Sequence, residues 1–186
     1  MTAYQKTVDS VLAECGMVLR AIPEESTARL VETLLGANAV FFIGVGRVML
    51  SAQAMAKRLA HLGIRTHVVG EITEPALKPG DVLVVCSGSG ETLFPKAIAE
   101  KAKSLGARVV MIGSNQQSSI AGMADLMVRM PTNTKFKCAD EIPSGQIMTS
   151  LFEQCLLLYG DILAKMIVEQ RGLDMDSLWE YHANLE

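Results

Sequence analysis

Five short runs rich in aliphatic residues, at 39–43, 66–69, 82–86, 109–112 and 126–130, recur along the chain, most of them apolar on consecutive residues. A strand that alternates apolar and polar residues buries one face. A strand apolar throughout is covered on both, as parallel strands are when helices flank the sheet. The segments between supply such helices, from about Arg47 to Leu62 with a stop at Gly63, and from about Glu91 to Leu105 with a stop at Gly106. The chain is therefore predicted to be α/β, a five-stranded parallel sheet built from right-handed crossovers.

Helices flank this core in the sequence as well. Residues 4–22 space Val8, Val11, Leu12, Cys15, Val18, Leu19 and Ile22 by three and four, the stripe of an amphipathic helix, and Pro23 ends it. A second helix is expected from about Glu24 to Leu35, with Gly36 and Asn38 as a left-handed stop. After the last strand, residues 131–145 are polar and punctuated by Pro and Gly, too long for a simple connection and so a predicted active-site loop. A helix from about Ile147 to Gln170 follows, stopped by Gly172, and is apolar around more of its circumference than one sheet face requires. The surplus is assigned to subunit contact. At 186 residues the whole forms a single domain: N-terminal helices 1–38, α/β core 39–130, loop 131–146 and C-terminal helical segment 147–186.

Charge and cysteine content narrow the partners. With 17 Lys and Arg against 20 Asp and Glu, the net charge is −3, and 49% of residues are hydrophobic. That excludes a disordered chain and argues against nucleic-acid or membrane-surface binding, which would need a basic patch, so a small-molecule partner is expected. Cys15, Cys86, Cys138 and Cys155 show no C-x-x-C spacing and read as reduced thiols of a cytoplasmic protein. No apolar run approaches the ~18 residues of a membrane span, and Met1 to Lys6 lack the layout of a signal peptide. The three histidines carry no metal-site spacing, and no metal is expected.

Two stretches repeat the order strand, glycine-rich turn, helix, Leu-Gly, strand, beginning at residues 39 and 81. Both turns fall at carboxyl ends of strands, where open α/β sheets bind ligands. The second, Ser87-Gly88-Ser89-Gly90-Glu91-Thr92, interleaves three hydroxyls with two glycines ahead of a helix. Converging amides, hydroxyls and a helix N-terminus make a phosphate cradle. The competing role is simpler: Ser87 or Ser89 as the helix cap, with the glycines only turning the chain. Glu91 is assigned a structural role in the helix's first turn, since a carboxylate aimed at a phosphate would repel it. A dinucleotide site is disfavoured because the third glycine of G-x-G-x-x-G is replaced by Met49 in one turn and Leu93 in the other, and no Walker pattern is present. No cofactor is expected.

The turn SGSGET, with RLAHLG at 58–63, VVGE at 68–71, GQIMTSLFEQ at 145–154 and HANLE at 182–186, resembles the SIS (sugar isomerase) domain family, and within it the 6-phospho-3-hexuloisomerase branch. The resemblance implies a single flavodoxin-like SIS domain, usually tetrameric, that interconverts 3-hexulose 6-phosphate and fructose 6-phosphate without a metal. Substrate contacts would come from Gly46, Arg47, Ser87, Gly88, Ser89, Thr92 and His182. Where the branch has Gly-x-Gly-Arg-Ser-Gly, this chain has Gly44 to Met49 with Val48 and Met49 in the last two places, losing a hydroxyl that Ser51 would partly replace. Where it has Pro-Met-Gly-Ser, this chain has Ile147, Met148, Thr149 and Ser150.

Moving a carbonyl between adjacent carbons needs a base for a carbon-bound proton, an enediolate stabiliser and a proton carrier between oxygens, but no redox group. Glu153, after Phe152 in an otherwise apolar helix, is the candidate base; alone it also fits a solvated face or an intersubunit ion pair. His61 is the candidate proton shuttle, acting across an interface because its helix end lies opposite the strand tips, and helix capping is its other role. Arg47 reaches phosphate or a sugar oxygen, or is a solvated helix-start arginine. His67 is structural, and the methionines fill core and interface. The activity expected is that of a phosphosugar isomerase; a non-catalytic phosphosugar-binding module or an isomerase of another sugar phosphate is the alternative.

Overall fold

The computed structural model describes residues 1–138, 140–148 and 150–185; Thr149 and Glu186, both named in the motifs above, lie outside them. Two N-terminal helices, α1 (Ala3–Arg20) and α2 (Glu24–Leu35), lead into β1 (Val40–Ile43), α3 (Arg47–Ala60), β2 (Thr66–Val68), β3 (Val82–Cys86), α4 (Leu93–Ser104), β4 (Arg108–Gly113), α5 (Ser119–Met123), β5 (Leu126–Arg129) and α6 (Ser150–Arg171). A 3₁₀ turn at Ser177–Tyr181 follows. The sheet is parallel throughout, in the order β2-β1-β3-β4-β5. That order reverses direction between β1 and β3, the crevice where doubly wound sheets place ligands. Ile43 pairs with Val85 there, so the turns that begin at Gly44 and Ser87 leave the sheet side by side.

Consecutive strand residues enter two different cores. Phe42, Val84 and Ile112 pack with α1, α2, α3 and α6, whereas Phe41, Val85 and Met111 pack with Ala99 and Ala102 of α4 and Ile120 of α5. This is why β1, β3 and β4 read as near-continuous apolar runs, whereas the edge strands β2 and β5 are only half-buried. On the larger face α3 and α6 cross closely. A Cβ on Gly160 would sit 3.0 Å from the Cβ and 3.3 Å from the Cα of Met55, so the small residue sets how near the two helices lie.

Several expectations are corrected. Gly36 has φ −89°, not a left-handed conformation, and simply carries the last α2 bond, from its N–H to the Glu32 carbonyl at 3.0 Å. α4 starts at Leu93, two residues late, leaving Glu91 ahead of the helix. α6 starts at Ser150 instead of Ile147, because Met148 takes φ +55°, which no right-handed helix admits. α5 and the terminal 3₁₀ turn were not anticipated.

The approach to α6 is tied down by α1. Glu14, 8% exposed, accepts hydrogen bonds from Ser144 Oγ (2.6 Å), Gln146 Nε2 (3.1 Å), the Gly145 amide (3.2 Å) and Ser10 Oγ (3.3 Å). The Ser144 hydroxyl, with the other donors and against burial, holds the Glu14 carboxyl below the usual carboxylate range. A carboxyl depressed in the folded state contributes stability that is present above its unfolded value and lost as the pH falls through its folded one. Glu14→Gln is thus expected to lower the melting temperature by a few degrees near neutral pH, with the gap from wild type closing in acid. Circular dichroism melts at the two pH values check this; an equal gap at both would show that the charge contributes nothing.

Candidate functional site

The turn after β3 is built around its serines and one glycine. Gly90 has φ +65°, and a Cβ there would lie 2.0 Å from Ser118 Oγ, so no other residue fits. Ser87 Oγ, buried, accepts the Gly90 amide at 3.0 Å and lies 3.0 Å from Thr92 Oγ1. Ser89 Oγ accepts the Glu91 amide at 3.3 Å. Neither serine caps α4. Thr92 holds the cap position, yet its hydroxyl makes no capping bond. The three predicted hydroxyls therefore sit in one loop against a helix start whose first amides lack intrahelical partners. Glu91 is turned away, its carboxylate accepting from Ser119 N (2.6 Å) and Ser119 Oγ (2.8 Å) at the head of α5, bonds that lower its pKa.

These residues border a cleft of about 250 Å³ that Val45 and Val48 close from the first glycine turn and Phe152 closes from α6. Gly46 stands at the α3 cap, exposed, beside this rim. Next to Phe152, Glu153 is buried and ion-paired with Arg47 Nε. The side chain of Arg47 is 71% exposed and that of Glu153 9%. The predicted base and the predicted arginine are thus one pair, with Arg47 still largely exposed at the start of α3. Ser51 does not stand in for the missing serine: its hydroxyl is buried and donates to the Glu153 carbonyl at 2.7 Å.

His61 and His182 are brought together, but elsewhere. Their rings stack at 5.1 Å beside a separate cavity of about 660 Å³ that Trp179 and Leu62 also line. His61 follows Ala60 at the far end of α3, some 20 Å along the axis from Arg47 by helix rise. Burial, then the charges of Lys57 and Arg58 and the neighbouring His182, lowers the His61 pKa, which favours the neutral ring at neutral pH. His67 stacks on Phe41 at 5.0 Å within the sheet. All four cysteines are free thiols, and burial pushes Cys86 and Cys155 up to about 12. Among the described residues no group of three or more His, Cys, Asp or Glu is placed to hold a metal.

The third wall of the cleft was not read at residue level. Asn133, Thr134 and Lys135 line it, from the stretch that composition marked only as a loop. No spacing distinguishes Lys135 from Lys137; the contacts of Thr134 with Glu141 do so only once folded.

The sequence profile of the SIS domain matches residues 33–159, from α2 through both glycine turns to the middle of α6. The chain belongs to the SIS domain family. A Bacillus subtilis (strain 168) protein named 3-hexulose-6-phosphate isomerase is 40% identical over 179 residues, 96% of this chain and 97% of its own length. A Mycobacterium gastri protein of the same name is 37% identical over 165 residues, covering 89% and 82%. A crystal structure from Methanococcus jannaschii, described as inferring a 3-hexulose-6-phosphate isomerase function, superposes with a TM-score of 0.83 at 26% identity over 97% of this SIS chain and 99% of its own.

Proposed function

We propose that this SIS protein interconverts 3-hexulose 6-phosphate and fructose 6-phosphate through an enediolate. The observation that carries the proposal is a cleft with a neutral hydroxyl cradle at Ser87, Ser89 and Thr92, closed by Phe152, with the buried carboxylate of Glu153 next to Phe152 on α6 and paired with Arg47 from the first glycine turn. The cradle holds the phosphate. Glu153 takes the proton from C2 of the 3-ketose, leaving a 2,3-enediolate, and returns a proton at C3 to give the 2-ketose. Arg47 orients that carboxylate and presents its remaining guanidinium N–H groups to the developing oxyanion. The relatives named for this reaction support the substrate.

Val48 favours a second reading. It faces the cleft at a position where a hydroxyl was expected, which suits a phosphosugar-binding module without turnover or an isomerase of another sugar phosphate. Incubation with fructose 6-phosphate in deuterated water separates the readings. Exchange at carbon-bound hydrogen supports isomerisation; binding without exchange supports the module.

The histidines enter only through assembly. Leu157, Leu158, Ile162 and Met166 stand exposed on α6, as Tyr4, Leu12 and Met17 do on α1, an apolar surplus suited to a homotetramer. In that arrangement His61, with His182 beside it, serves a neighbouring subunit's cleft and moves a proton between the substrate oxygens. Light scattering at micromolar concentration is expected to give a mass near four times 20.1 kDa; a species at the single-chain mass would end any role for these histidines in the cleft. The net charge of −3 and the lack, among the described residues, of any helix long and apolar enough to cross a membrane fit a cytoplasmic enzyme.

A further inference from the structure

The hydroxyl cradle carries no charge, yet a sugar phosphate brings between one and two negative charges at neutral pH. Among the described residues lining the cleft, Lys135 alone is charged. The nearby cation Arg47 is committed to Glu153. Lys135 takes part in no ion pair among the described residues, and its ammonium rests 5.3 Å from the centre of the exposed Phe136 ring, a contact easily exchanged for an anion.

The segment bearing Lys135 is held in place. The Ile142 amide bonds the Pro131 carbonyl at 2.8 Å, closing the stretch on itself. Within that closure the Glu141 carboxylate accepts both the amide (3.0 Å) and the hydroxyl (2.5 Å) of Thr134, the residue before Lys135. Asp140 pairs with Arg129 of β5, and Asn133 Nδ2 reaches the Met148 carbonyl at 3.4 Å.

Resting on the isomerase site proposed above, we infer that Lys135 is the charge partner of the substrate phosphate, closing the cleft opposite Ser87, Ser89 and Thr92. The neutral hydroxyls then fix direction, and the lysine supplies the preference for a phosphorylated sugar. Because its ammonium is exposed and acts on a dianion, the contribution is screened by salt.

The test compares wild type, Lys135→Gln and Lys135→Arg in calorimetric binding of fructose 6-phosphate and in steady-state isomerisation at low and high sodium chloride. Lys135→Gln is expected to weaken binding and raise KM about tenfold with kcat within about twofold, as loss of a charged hydrogen bond distant from the reacting carbons does. Its KM should lose much of the wild type's dependence on salt, and Lys135→Arg should restore most of the affinity. Equal affinity and equal salt dependence in wild type and Lys135→Gln would overturn the assignment while leaving the cleft as the site. A fall in kcat at unchanged affinity would overturn it as well, moving Lys135 to the chemical step. If the wild type binds no sugar phosphate, the site itself is misplaced, and Lys135 with it.

Discussion

Glu153→Gln is expected to lower isomerase turnover, and the solvent-deuterium exchange that reports carbon deprotonation, by about 10² to 10⁴, the usual contribution of a positioned general base. Glutamine keeps the volume and one hydrogen-bonding oxygen but cannot accept the substrate proton. The substitution also breaks the pair with Arg47, and the exposures decide what that costs. Arg47, 71% exposed, returns to water, so the loss in stability is of the order of a surface ion pair, about 0 to 1 kcal/mol. The fold should therefore survive, with ligand affinity little changed. Arg47→Ala is the harsher change for the fold, since it strands a buried carboxylate without a partner. Full exchange activity in Glu153→Gln would place the base elsewhere.

Ser89→Ala combined with Thr92→Val should have the opposite balance, weakening the binding of fructose 6-phosphate by about 10² to 10⁴. Two hydrogen bonds to an ionised phosphate are lost, each worth about 1.5 to 3 kcal/mol. The free protein loses two contacts with them, the Glu91 amide on Ser89 Oγ at 3.3 Å and the Ser87–Thr92 hydroxyl pair at 3.0 Å, while Ser87 keeps the Gly90 amide and Thr92 makes no capping bond. Ser87 is left in place because its hydroxyl holds the Gly90 amide and the turn depends on it. Unphosphorylated fructose should bind poorly to both proteins. Unchanged calorimetric affinity for the phosphosugar would remove the cradle from the site.

The sheet was legible because its signal is local: residues such as Phe41 and Phe42 point into different cores, and the central strands β1, β3 and β4 announce this over four to six positions. The cradle was legible for the same reason, being contained in six residues. What escaped depends on partners far along the chain. Arg47 and Glu153 are 106 residues apart, and no spacing rule joins them. Ser51 has the residue type and helical position of a ligand contact, but the closeness of α6 gives its hydroxyl another task. The α6 start was misplaced because Ile147 and Met148 are apolar, as a helix beginning there would require, although both are exposed in a turn. α5 is five residues long, too short for periodicity to register.

The crossing at Gly160 links construction to chemistry. Glu153 lies two turns before it on α6, and Arg47 a little over two turns before Met55 on α3, so the two reacting-end side chains are carried on arms that meet at one point. Such a pair of arms behaves as scissors. A few tenths of an ångström added at the pivot open the tips, and the carboxylate and guanidinium part together with the pocket wall that Phe152 forms. A methyl group at position 160, two turns from Glu153, would thus be felt as a change in the bite of the site, and a residue without a side chain acts as its gauge.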